Sequence, residues 1–295
     1  MTTTKDDRPR SKKSQAVLTV RGKQQLSEHL VRLVLGGDGV SDLRYNDHTD
    51  RYVKLLIPQP GGDLLPPYDM DRLRKENPES MPSKRTYTVR RWDTEANEIW
   101  IDFVIHKQPG QTGIASDWAD AAWPGDQIAM MGAGGGYSPR DDAPFHLLIG
   151  DLAALPAIAA ALEAMAPTAR GHTFIHVEHA ADRLLDLSHP AGVEVTWVVG
   201  QRSDLLEAVR VFDLPASLIE EGGVQVFCHA ERALTKELRR YLVKDLGIAK
   251  RDISISAYWA LGRIEDQFQA EKREPIGQID PDEDADAAPA GGAGA

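Results

Sequence analysis

The residues Arg85-Thr86-Tyr87-Thr88-Val89-Arg90 bring two cations, two threonine hydroxyls and a tyrosine ring into one short run. On an extended strand, Arg85, Tyr87 and Val89 share one face, and Thr86, Thr88 and Arg90 share the other. A flat aromatic ligand with a phosphate tail needs a stacking ring, a hydrogen bond to ring heteroatoms and a cation for the phosphate. Tyr87, Thr88 and Arg85 have the chemistry to supply these in turn. The same alternation also describes an ordinary amphipathic strand with exposed arginines, and the segment alone does not choose between the two.

A second run reads as strand, turn and helix: Phe103-Val104-Ile105-His106, then Gln111-Thr112-Gly113-Ile114-Ala115-Ser116-Asp117-Trp118-Ala119. Ser116 is the expected helix cap, and the helix N–H groups would favour a pyrophosphate. Taken singly, His106 reads as a strand-end histidine and Trp118 as core. Further on, Gly132-Ala133-Gly134-Gly135-Gly136 reads as a turn or linker, because it lacks an ordered dinucleotide fingerprint and no helix follows. Gly150 and Asp151, with Ala154 shortly after, end a strand and open a helix. Open α/β sheets bind ligands at such places. His172, His176, His179 and His189 are not read as a metal site; on a strand, His176 and His179 would point to opposite faces.

The elements that must position these residues change in rhythm along the chain. Ala16–Arg21, Leu30–Leu35, Tyr52–Ile57, Arg85–Arg91, Ile99–Ile105 and Ile128–Met131 read as short strands separated by turns, with a long loop over 59–84. That pattern suggests a small closed antiparallel β-barrel. From Phe145 onward, strands near 146–149, 173–177, 193–199, 224–227 and 253–255 are interspersed with helical stretches near 155–165 and 233–244. Such alternation predicts a doubly wound parallel sheet. The expected division is a leader over 1–14, a barrel over 15–143, an α/β domain over 144–268 and an acidic low-complexity tail over 269–295.

Composition narrows the function. A formal net charge of -11, from 34 basic and 45 acidic residues, disfavours nucleic acid as a partner. The single cysteine, Cys228, excludes an internal disulfide and lies in an apolar run suited to a buried, inert thiol. No apolar stretch reaches the length of a membrane span, and no signal-peptide core follows the basic N-terminus, so a cytoplasmic, monomeric protein is expected.

Taken together, the motifs resemble the siderophore-interacting protein family, a branch of the ferredoxin-reductase-like flavoproteins. The likeness runs from about residue 16 to about residue 268 and rests on motif order. Val53-Lys54-Leu55 comes first, followed by Arg85-Thr86-Tyr87-Thr88, Phe103-Val104-Ile105-His106 and Ala115-Ser116-Asp117-Trp118-Ala119. Pro124-Gly125-Asp126, Gly150-Asp151 with Ala154-Leu155-Pro156-Ala157-Ile158, and Tyr258-Trp259-Ala260-Leu261-Gly262 complete the series.

The resemblance implies that the barrel binds FAD through Arg85, Thr86, Tyr87, Thr88, His106, Gly113, Ala115 and Ser116. It implies NAD(P)H near Gly150, Asp151, Ala154, His229 and Glu231. It also puts Lys54, Tyr258, Trp259 and Arg263 near the flavin or the substrate. The implied activity is NAD(P)H-dependent reduction of a ferric siderophore: a flavin accepts a hydride's two electrons together and passes them on singly, as ferric iron requires. Two departures stand out. Ala260 and Leu261 follow Tyr258-Trp259 where the family usually carries arginine, leaving Lys54 and Arg263 as the candidate cations. His229-Ala230-Glu231 stands in place of the usual Ala-Gly-Glu. The alternatives are a flavin reductase for another acceptor, such as a quinone or an electron-carrier protein, and a siderophore-binding flavoprotein without turnover.

Overall fold

The computed structural model describes residues 15–106, 113–263 and 265–279; Gln111 and Thr112 of the second motif lie outside them. Seven antiparallel strands build the first sheet: β1 (Ala16–Ser27), β2 (Leu30–Gly36), β3 (Tyr52–Ile57), β4 (Ser83–Thr88), β5 (Arg91–Asp93), β6 (Glu98–Val104) and β7 (Gln127–Gly134). Their order, β4-β3-β7-β1-β2-β6-β5, leaves β4 and β5 as the outer strands. Alternate residues such as Leu18, Val20, Leu33, Leu35, Val53, Leu55, Ile99 and Ile101 are buried and fill the interior. The expected loop over 59–84 holds a short helix, α1 (Met70–Glu76), capped by Asp69, whose side chain accepts from Arg72 N at 3.1 Å. Leu73 and Met70 pack on Tyr68 and Leu56, apolar contacts too sparse in the sequence to show a helical period. A second helix, α2 (Ile114–Ala121), closes one side of the barrel through buried Ala115 and Ala119.

The reading of Gly132–Gly136 as a turn or linker needs correction, because β7 continues through Gly134. Tyr52 pairs with Gly134, and a Cβ there would lie 2.5 Å from the Tyr52 ring. The strand persists there because a bare backbone lets the ring lie against it.

The second sheet contains β8 (Phe145–Asp151), β9 (Arg170–Val177), β10 (Gly192–Val199), β11 (Val224–Glu231) and β12 (Ile253–Trp259). All pairings are parallel, in the order β10-β9-β8-β11-β12. The helices α3 (Leu155–Ala164), α4 (Arg202–Val211), α5 (Ala216–Glu220) and α6 (Arg232–Arg239) accompany it. All eight residues of β11 are buried, as expected of a strand covered on both faces. The chain runs outward from β8 to β10 and then crosses back to β11, so the switch point lies between β8 and β11. Barrel followed by doubly wound sheet is the architecture the sequence predicts.

The expected start of the tail at residue 269 also shifts. A helix, α7 (Glu265–Glu271), runs through it, and buried Phe268 packs on Ala257 and Ala260. A single aromatic in a charged stretch gave no periodic signal.

Several contacts join the two sheets. Ser27 Oγ and His29 N donate to Asp182 Oδ1 at 2.8 and 2.9 Å, and His29 Nδ1 lies 2.9 Å from Asp182 Oδ2. Arg90 pairs with Glu163, and the Tyr137 ring packs on Phe227 with centroids 4.9 Å apart. The histidines of β9 serve the sheet: His172 Nε2 meets Thr196 Oγ1 at 2.9 Å and His176 Nε2 meets the Gly200 carbonyl at 3.0 Å. His179, beyond the strand, stacks on His29.

Candidate active site

The strand β4 places Arg85, Thr86, Tyr87 and Thr88 on the outer edge of the first sheet. Register with β3 sets their faces: Thr86 and Thr88 pair with Lys54 and Tyr52, while Arg85 and Tyr87 pair with Leu55 and Val53. Arg85 and Tyr87 are half-buried, and the Tyr87 ring lies 4.5 Å from that of Phe103, which in turn lies 6.1 Å from Trp118 of α2. A row of rings therefore links β4 through β6 to the helix. Lys54 and Tyr52 are exposed on the same face as Thr86.

His106, Gly113, Ala115 and Ser116 also come together, with one change of role. The Ser116 hydroxyl does not cap α2; it accepts from His106 N at 2.9 Å and ties the strand end to the helix. The N-cap is Gly113, and no side chain makes a cap hydrogen bond. Ser116 is the third residue of the helix, inside it rather than at the cap position, and is buried. A Cβ on Gly113 would lie 3.3 Å from the His106 ring and 3.4 Å from Ser116 Cβ, so glycine keeps this approach to the helix amides clear. Those amides and the positive end of the helix suit a diphosphate.

Across from β4, the carboxyl ends of β8, β11 and β12 converge on Asp151. Its Oδ1 accepts from Ala153 N at 3.0 Å and Ala154 N at 3.3 Å. Its Oδ2 accepts from Glu231 N at 3.0 Å and Trp259 Nε1 at 2.8 Å. Burial pushes the carboxyl above the usual carboxylate range, while the Trp259 indole and the backbone donors pull the other way. Because both oxygens face only donors, a proton on the group would have no acceptor, and we assign the ionised form at neutral pH. Gly150 is required beside it: a Cβ would fall 2.7 Å from Ala154 Cβ and from Ile158 Cδ1. Glu231 caps α6, accepting from Ala233 N at 2.7 Å and Leu234 N at 3.1 Å, and its other oxygen takes Leu261 N at 3.1 Å. His229 is buried between Phe227 and Tyr258, its Nε2 3.2 Å from Ser254 Oγ. Burial lowers its pKa to about 3, so it is neutral at physiological pH.

Tyr258 carries the junction. Its ring packs on that of His229 with centroids 4.7 Å apart, burial pushes its pKa up, and Thr88 of β4 lies close enough to act on its hydroxyl. Two residues 170 positions apart in sequence, one on each sheet, are thus brought near each other. Arg263 is drawn elsewhere: its Nε donates to Glu271 Oε1 at 2.6 Å, and Glu271 also takes Arg232 at 2.5 Å. Ala260 is buried under Phe268, which accounts for a small residue where the family usually carries arginine. Sequence reasoning missed Tyr52 and Asp50. Asp50 Oδ1 accepts from Gly136 N at 2.8 Å and Tyr137 N at 2.9 Å, pinning the glycine run beside Tyr52. The glycines were the available signal, since several in succession near a strand mark close approach.

A barrel whose edge strand meets the carboxyl ends of a parallel sheet is the ferredoxin-reductase-like fold. Residues 19–137 match the siderophore-interacting FAD-binding domain, and residues 143–262 match the siderophore-interacting protein model. A Mycobacterium tuberculosis protein, Rv2895c, is 42% identical, covering 85% of this chain and 92% of its own. Ferric vibriobactin reductase ViuB of Vibrio cholerae is 31% identical, covering 85% of this chain and 91% of its own. The solved siderophore-interacting protein SipS from Aeromonas hydrophila superposes with a TM-score of 0.72 at 31% identity, covering 88% of this chain and 96% of its own. The chain belongs to the siderophore-interacting protein family, as its motif order suggested.

Proposed function

We propose that the protein is an NAD(P)H-dependent flavin reductase that reduces a ferric siderophore and releases Fe(II). The observation that carries the reading is the closeness of β4 to the second sheet: Thr88 lies near Tyr258 of β12, and Arg90 just beyond β4 pairs with Glu163 of α3, which sets the flavin strand against the carboxyl ends of the sheet proposed to hold the nicotinamide. FAD, when bound, supplies a carrier that takes two electrons with one hydride and returns them one at a time. One NAD(P)H thus serves two ferric ions, giving two Fe(II), NAD(P)+ and a proton.

The residues present fit that group. Arg85 supplies a guanidinium on the edge strand, Tyr87 an aromatic face backed by Phe103, and α2 an N-terminus cleared by Gly113. Thr88 lies near Tyr258, and Thr86 and Lys54 share the exposed face where an anionic chelate would approach. Gly150 and Ala154 make the tight strand-to-helix turn, and Asp151 and Glu231 hold Trp259 and the α6 N-terminus in place. Neutral His229 moves no proton. In this reading the protein contributes orientation and electrostatics, and no side chain acts as nucleophile.

The test is anaerobic. With FAD bound, adding NADH or NADPH should bleach the oxidised-flavin absorbance; ferric siderophore should restore it as Fe(II) appears with a ferrous-specific chelator. Absence of Fe(II) with both nicotinamides refutes the proposal. One observation favours a second reading, reduction of a quinone or an electron-carrier protein. Arg263 is tied to Glu271, and Ala260 lies buried where a cation would otherwise stand, so the site has less positive charge than an anionic chelate prefers. Faster turnover with those acceptors than with any ferric chelate would establish it.

A further inference from the structure

At the carboxyl ends of β9 and β10 lies a cavity of about 480 Å³, lined by Glu178, Gly200, Gln201, Arg202 and Ser203. Its floor is backbone held in one conformation. Gly200 N donates to the Val177 carbonyl at 3.1 Å, and the Gly200 carbonyl is bound by His176 Nε2 at 3.0 Å. Gly200 has φ 138°, and a Cβ on it would lie 2.6 Å from Asp204 Oδ2, so only glycine fits. On one side, the Arg202 guanidinium lies over the Trp259 ring at 5.5 Å, and that indole is held by Asp151 at the switch point. From the switch point to the gap between β9 and β10 is about two strand spacings, ~10 Å, well within the reach of a dinucleotide.

The charges in this cavity discriminate between a ribose diol and a ribose 2′-phosphate. Arg202 is its one cationic lining residue, and its Nη1 lies 4.0 Å from Glu178 Oε1. The N-terminus of α4, which would otherwise welcome a phosphate, is closed by its own carboxylate: Asp204 Oδ2 accepts from Gln201 N at 2.8 Å. A phosphomonoester would therefore meet two carboxylates and one guanidinium already shared with Glu178. A neutral diol would meet a carboxylate able to accept from its hydroxyl, at no charge penalty.

We infer that Glu178 selects NADH over NADPH by accepting a hydrogen bond from the adenosine ribose and repelling a 2′-phosphate; the inference rests on the nicotinamide reading above. The test is an equilibrium titration of the FAD-loaded protein with NAD+ and NADP+, followed by tryptophan fluorescence and calorimetry. NAD+ should bind about fivefold more tightly, the scale of one partly exposed charge contact. Glu178→Gln should narrow the ratio, and Glu178→Arg should reverse it, with the far-ultraviolet spectrum unchanged because the side chain is exposed. Equal or tighter binding of NADP+ by the native chain, or a ratio unmoved in Glu178→Gln, overturns the inference while leaving nicotinamide use intact. If neither dinucleotide binds, the nicotinamide reading itself fails.

Discussion

Asparagine in place of Asp151 keeps the side-chain shape and removes one of its two acceptors. The amide oxygen can still take Ala153 N and Ala154 N, which both reach Oδ1 in the native chain. The amide nitrogen then faces Glu231 N and Trp259 Nε1, two donors at 3.0 and 2.8 Å with nothing left to accept them. A buried donor stranded in this way costs about 1–3 kcal/mol, so the pair costs roughly 2–6 kcal/mol. A neutral amide also avoids the desolvation that the carboxylate suffers, which draws the expected loss toward about 2–4 kcal/mol. Urea unfolding at pH 7 measures it. Trp259→Phe removes one of the four donors and should cost about 1.5–3 kcal/mol alone, as loss of a hydrogen bond to a charged acceptor. In the Asp151→Asn background the same change should cost little, so the double-mutant cycle should show a coupling of about 1–2 kcal/mol. An Asp151→Asn loss below about 1 kcal/mol, or an additive cycle, would refute the reasoning. Either would mean that burial had already protonated the carboxyl, so that asparagine mimics the native group.

Two further outcomes are expected. His229, with its folded pKa near 3, stays neutral as the unfolded chain takes up its proton, so its contribution is complete above pH ~6.5 and is lost as pH falls toward 3. Between pH 6.5 and 4.5 the native chain should lose about 2 kcal/mol more stability than His229→Leu in parallel urea titrations; identical pH slopes would exclude it. Gly134→Val should lower stability by about 1–3 kcal/mol through its contact with Tyr52, and Tyr52→Ala should recover most of that loss. A Gly134→Val loss that persists undiminished beside Tyr52→Ala in thermal melts would place its cause elsewhere.

The sequence by itself determined the local and the ordered features. Alternating burial made the β1 and β2 strands legible, and apolar runs bounded by Gly150-Asp151 and followed by an alanine-rich helix announced the parallel sheet. These patterns are legible because a strand or helix buries its apolar side at a fixed period. Motif order along the chain then identified the family. Only the tertiary structure decided which of those residues meet. Ser116 reads as a cap until His106 N is found to claim its hydroxyl, and Arg263 reads as a free cation until α7 brings Glu271 beside it. Asp151 marks a strand end in the sequence, and only the fold shows the four donors from three strand ends that surround it. Thr88 and Tyr258 are 170 residues apart, and Glu178 faces Arg202 across two strand ends. Hydrogen bonds and ion pairs across such separations carry no periodicity, so they become visible only when the packed sheets bring their partners together.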